Sequence, residues 1–155
     1  MTATLNAARH DPTLTEQERA NIELVLKFRT LSFEERRHYT VPGFKPSRMG
    51  MANLFETKPP DTPGFSAESI PDREEDFLDI IVRGNRVWAS WLVRGTHLGP
   101  MLGLAPTGRR FEVLEVGQWR IQNGLIADAW FFVDELALLR QIGQWPAGSD
   151  RCSTD

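Results

Sequence analysis

Apolar and polar positions follow a helical spacing in the first third of the chain and a period of two in the second half. Thr15 and Glu18 stand three apart, the spacing of a capping box, and open a helix whose Ile22, Val25 and Leu26 share a face. Ser32 and Glu35 repeat that spacing and predict a second short helix over 33–39, stopped by Val41-Pro42-Gly43. Ser47 is placed to cap a third helical piece over 48–57, carrying Met51, Leu54 and Phe55. Residues 58–72 hold Pro59, Pro60, Pro63, Gly64 and Pro71 and predict a loop, long for a compact domain and of the kind that often forms a lid or binding loop.

Beyond that loop the pattern is that of strands. They are predicted over 77–83, 86–97, 111–122 and 125–133, with turns at Gly84-Asn85 and Asn123-Gly124 and a Gly/Pro loop over 99–108. A last helical turn or two over 135–142 ends at Gly143. Helices first and an antiparallel meander afterwards make an α+β architecture, helices on one face of a curved sheet.

Length and charge narrow the picture. The 155 residues predict a single domain over 15–145 between flexible tails at 1–14 and 146–155. A net charge of −3 gives no basic excess to draw nucleic acid or anionic lipid. The one cysteine, Cys152, cannot form an internal disulfide, and a reducing cytoplasm is the expected compartment. The first 14 residues lack the form of a secretory signal, and no apolar run approaches the roughly 20 residues of a membrane helix. Five Trp and nine Phe are the informative excess, either core or the walls of an apolar pocket.

Several chemistries find no motif. The segment 103–110 lacks the ending of a phosphate loop, and His10, His38 and His97 have no metal-ligand spacing. There is no nucleophile elbow and no dinucleotide fingerprint, so side chains are expected to act without a cofactor. Asp134 is the best single candidate. Period two puts it on one face with Trp130 and Phe132, where a carboxylic acid would be desolvated and able to exchange protons near neutral pH. Spacing alone reads Asp134 first as the N-cap of the last helix, and the two roles can coexist. His97 ends a strand on the face of Trp91 and Val93, as an acid, a base, a donor or simply a residue satisfied by backbone. His38 and Tyr39 close the second helix and could reach a pocket or stay at the helix end. Trp88 and Trp91 point to opposite faces, one able to line a cavity and the other to pack at an interface.

A series of motifs in the second half, in order, resembles the SnoaL-like family of polyketide (ester) cyclases. It comprises Ile70-Pro71-Asp72, Val82-Arg83-Gly84-Asn85-Arg86-Val87, Gly95-Thr96-His97-Leu98-Gly99 and Gly103-Leu104-Ala105-Pro106-Thr107-Gly108-Arg109. It continues through Arg120-Ile121-Gln122-Asn123-Gly124-Leu125-Ile126, Trp130, Asp134 and Leu139-Arg140-Gln141-Ile142-Gly143. The resemblance implies a cone-shaped α+β barrel of the nuclear transport factor 2 and ketosteroid isomerase superfamily, with three N-terminal helices on the sheet. It implies Asp134 as the general acid/base of a cofactor-free aldol closure, with His97 in the same cavity. The family's His-Asn-Pro after the second helix is replaced here by His38-Tyr39-Thr40.

The sequence reading is thus a cofactor-independent cyclase or isomerase of a bulky apolar or aromatic molecule. Asp134 and His97 are its catalytic residues; His38, Tyr39, Asn53, Trp91, Trp119, Trp130 and Phe132 are its expected substrate-binding residues. The same groups run backwards would make a retro-aldol lyase releasing a small aldehyde from an aromatic diol, and a non-catalytic binding module is the third reading. A homodimer is expected, with Trp88 or Trp119 covering the convex face of the sheet.

Overall fold

The computed structural model describes residues 3–49 and 67–144. The elements are α1 (Ala3–Arg9), α2 (Glu16–Thr30), α3 (Phe33–Arg36) with a 3-10 turn at Arg37–Tyr39, β1 (Ser47–Met49), β2 (Glu74–Arg83), β3 (Arg86–Thr96), β4 (Arg110–Gln122), β5 (Leu125–Val133) and α4 (Glu135–Gln141). The sheet runs in the order β1-β5-β4-β3-β2, its four long strands antiparallel, which makes the α+β class. No helix among the described residues is long and apolar enough to cross a membrane.

The described residues gather into two compact units. One takes 3–49, 76–92 and 114–133; the other takes 67–75, 93–113 and 134–144. In the first, α2 starts as its sequence dictates, with a complete capping box between Thr15 and Glu18, and buries Asn21, Ile22, Val25 and Phe28 on one face. Its start is tied to the β2–β3 turn: Gly84 N–H donates to Glu18 at 2.8 Å and Asn21 Nδ2 donates to the Gly84 carbonyl at 2.9 Å. The Gly84 amide, with the Thr15 amide and hydroxyl, holds the Glu18 carboxyl down at about 2. The end of α2 is closed by Arg36, which donates to the carbonyls of Phe28 and Arg29, both at 3.0 Å.

The β4–β5 hairpin turns on Asn123 and Gly124, both at positive φ (52° and 75°), the type I′ geometry that matches strand twist. In the second unit α4 is pinned to β4 by a reciprocal pair. Glu112 N–H donates to Gln141 Oε1 at 2.9 Å, and Gln141 Nε2 donates to the Glu112 carbonyl at 2.8 Å. Leu138 and Ile142 carry α4 into that unit's core.

Three elements differ from the pattern-based reading. Residues 3–9, expected in a tail, form α1, with Leu5 buried and Arg9 paired with Glu23 at 2.6 Å. Ser47–Met49, expected to begin a helix, form β1 and run parallel to β5 with Ser47 opposite Trp130. That pairing gives the β5 edge a hydrogen-bonding neighbour, which a local helix signal cannot foresee. The rest of the expected third helix and most of the Pro-rich loop lie outside the described residues. Finally, β2 begins at Glu74, earlier than expected, because a strand at the sheet's edge tolerates charged residues such as Glu74, Glu75 and Asp76.

Candidate active site

In the first unit the inward residues of three strands build an aromatic cluster. Trp91 stands 5.7 Å from Trp119 and 6.2 Å from Phe131, and Trp119 stands 5.5 Å from Phe131, centroid to centroid. Phe77 adds a ring 5.4 Å from Trp91. Gly117 pairs with Phe131 across β4 and β5, and a Cβ there would stand 2.8 Å from both Phe131 and Trp91. Only glycine lets these rings close on the strand.

The cluster encloses an ion pair. Trp91 Nε1 donates to Glu115 Oε2 at 2.9 Å, and Arg29 Nη2 lies 3.6 Å from the same oxygen. The Arg29 guanidinium sits 4.5 Å over Trp91 and 5.4 Å from Phe131. A carboxylate this deep is compensated by the indole N–H and the guanidinium, and the guanidinium by the ring faces. The Trp119 Nε1–H is buried with no acceptor among the described residues.

In the second unit, His97 follows β3 and is fully buried. Its backbone is clamped to the 107–109 loop: His97 N–H donates to the Arg109 carbonyl and Gly108 N–H donates to the His97 carbonyl, both at 2.9 Å. Gly95 and Gly99, on either side, lie against Ile70 and the Glu68 backbone so closely that a Cβ could not fit. Thr96 is held from the same segment, its N–H and hydroxyl each donating to Asp72 at 2.7 Å. His97 Nδ1 lies 3.1 Å from Thr107 Oγ1, while Nε2 is buried without a hydrogen-bond partner among the described residues. Burial pushes the imidazole pKa below its ordinary value, with hydrogen bonding to the Gly99 main chain acting in the other direction.

Asp134 follows β5 and caps α4: the Ala137 N–H donates to its Oδ1 at 2.9 Å. The capping role is therefore real. The desolvation expected from aromatic neighbours is not found, because Asp134 is exposed. Trp130 packs edge-on against Trp88 at 5.0 Å and donates to Gln118 at 2.7 Å, on the face opposite Trp91. Phe132 is 46% exposed. The inward residue between them is Phe131, which the period-two reading passed over. Trp119, considered for a convex interface, is instead wholly interior, while Trp88 is exposed.

Trp91 and Trp119 thus come together, and Trp130 and Phe132 do not join them. His38 is exposed at the 3-10 turn, and Tyr39 is half-buried with the Lys27 ammonium 5.0 Å over its ring. Asn53 lies outside the described residues. Among the described residues no group of three or more His, Cys, Asp or Glu could hold a metal. Arg29, Glu115, Phe131 and Thr107 were not singled out from sequence. Glu115 did carry a signal: it is the one charge among the inward positions Phe111, Val113, Gly117, Trp119 and Ile121 of β4.

Helices with a four-stranded antiparallel sheet give the α+β fold of the nuclear transport factor 2-like class. Residues 65–142, half of the chain, match the family of SnoaL-like polyketide cyclases, and the chain belongs to that family. It is 40% identical over 65 residues to nogalonic acid methyl ester cyclase of Streptomyces nogalater, covering 41% of this chain and 48% of that protein. It is 34% identical over 76 residues to aklanonic acid methyl ester cyclase DnrD of Streptomyces peucetius, covering 47% and 52%. The chain spans about half the length of these curated relatives. Among solved structures, a protein of Jannaschia sp. CCS1 described as a SnoaL-like polyketide cyclase shares the fold. Its TM-score is 0.71 at 22% identity, over 86% of this chain and 97% of that one.

Proposed function

We propose that this chain closes a ring in an aromatic polyketide ester by an intramolecular aldol reaction, with Asp134 as the general acid/base and no cofactor. The observation that carries this reading is the state of the Asp134 carboxylate. Oδ1 is fixed by the Ala137 N–H, and Oδ2 makes no hydrogen bond among the described residues. One oxygen aims the group and the other is open for proton transfer.

In the reaction, Asp134 takes a proton from the carbon next to a carbonyl. The resulting enolate carbon bonds to a second carbonyl carbon within the molecule. The alkoxide so formed takes the proton back from the Asp134 carboxylic acid, with His97 stabilising the developing oxyanion. One carbon–carbon bond forms, no atom is lost, and the product is an isomer of the substrate. The resemblance of the matched stretch to two methyl ester cyclases supports this choice of substrate class.

The test is turnover of nogalonic acid methyl ester and aklanonic acid methyl ester, followed by mass and retention time. The expected product has unchanged mass and a new retention time; a released aldehyde would establish a lyase instead. Asparagine caps helices as well as aspartate does, so Asp134→Asn separates the two roles. Its melting temperature should stay near wild type while kcat falls by about 10²- to 10⁴-fold. Retention of full turnover by this variant would sink the assignment.

A further inference from the structure

We propose that Thr107 is a positioning residue that holds His97 as the Nε2–H tautomer, so that the ring offers a buried hydrogen-bond donor to a carbonyl or enolate oxygen. The argument is an accounting of protons around one hydroxyl. Thr107 Oγ1 has one hydrogen to give and two lone pairs. The Arg109 N–H approaches it at 3.4 Å and occupies the acceptor side. His97 Nδ1, at 3.1 Å, is the acceptor available to its hydrogen among the described residues. If the hydroxyl donates to Nδ1, the neutral ring must carry its own hydrogen on Nε2. The opposite tautomer would leave the half-buried Thr107 hydroxyl no acceptor for its hydrogen among the described residues, only solvent.

Nε2 is buried, and no hydrogen-bond partner stands at it among the described residues. Native structures seldom keep a buried, unanswered N–H without a use. The surrounding geometry is rigid enough to make use of it. Two backbone hydrogen bonds join His97 to the loop that bears Thr107, and the glycines beside His97 are pressed against the 68–72 segment. The lock therefore sets both the hydrogen on the ring and the direction in which it points. In this arrangement His97 acts as a neutral donor to a developing oxyanion, and proton transfer is left to Asp134. The donor half of this inference rests on the cyclase reading above; the tautomer half does not.

The experiment uses the full chain with ¹⁵N-labelled histidine at pH 7.5. Long-range ¹H–¹⁵N correlation reads the tautomer of each ring, and His97→Gln identifies the His97 signals. The wild-type ring should show the Nε2–H pattern. Thr107→Val should move it to Nδ1–H or to an average of the two, and Thr107→Ser should restore it. A wild-type ring in the Nδ1–H form, or an unchanged pattern in Thr107→Val, overturns the proposal. With nogalonic acid methyl ester as the probe, Thr107→Val should lose about 10- to 100-fold in kcat with little change in KM, and Thr107→Ser should keep it. Equal loss in both variants, or loss confined to KM, overturns the donor role. If the wild-type chain does not turn the probe over while the tautomer pattern is as expected, the cyclase reading and the donor role fall and the lock stands.

Discussion

His97 enters the core as a neutral ring, and acid works against it. Its folded pKa lies below the ordinary value because burial disfavours the imidazolium. The unfolded chain therefore binds a proton on this residue near pH 6.5, where the folded chain does not. Its contribution to stability is complete above that pH and is lost as the pH falls through it toward the lower folded value. Urea unfolding at pH 7.5 and pH 5.5 should show wild type losing more stability on acidification than His97→Gln; parallel losses would contradict this. The carboxyls of Glu18, Asp72 and Glu35 are all held low, so their titration falls below that window. At this scale the sequence was readable where one residue's chemistry suffices. Asp134 as a cap follows from its place before an amphipathic turn, and the structure bears that out. The orphaned Nε2 of His97 and the partner on its Nδ1 were not readable. Both depend on which loop folds against the strand end, and Thr107 is ten residues away.

Helix starts and hairpins were legible because their signals are local. The two capping boxes, the Asn123-Gly124 turn and the four long strands all emerge close to their expected places. Elements held by distant partners were not. The strand β1 exists because β5 offers it an edge, and α1 because Leu5 finds a core and Arg9 finds Glu23. The faces of β5 were misassigned for a related reason: an uninterrupted run of aromatic residues over 130–132 gives no alternation to read. The cross-strand partner decides, and Gly117 beside Phe131 is that partner. Gly117→Ala should consequently cost about 1–3 kcal/mol by forcing the Phe131 and Trp91 rings apart, measured by chemical unfolding. A neutral result would mean that the rings can give way.

At the scale of the molecule, residues 65–142 place the chain in the family of SnoaL-like polyketide cyclases. The proposed reaction moves one proton out and back and forms one bond, with no net oxidation. It asks for no electron acceptor, and exhaustive dialysis against a chelator should leave turnover of the methyl ester substrates unchanged. A loss restored by a divalent cation would contradict the mechanism. One element also bears on how the molecule assembles in time. The β4–β5 hairpin needs only a two-residue reversal at Asn123-Gly124, and closures of that kind take about 1–10 μs. Ser47 meets Trp130 only after a far longer stretch of chain has been brought round, at a greater loop-closure cost. The meander is therefore the early event, and the parallel strand at its margin is added to a template already made. Until that addition, a newborn chain carries an open β5 flank, and this is the interval in which it is most exposed to mispairing with its neighbours.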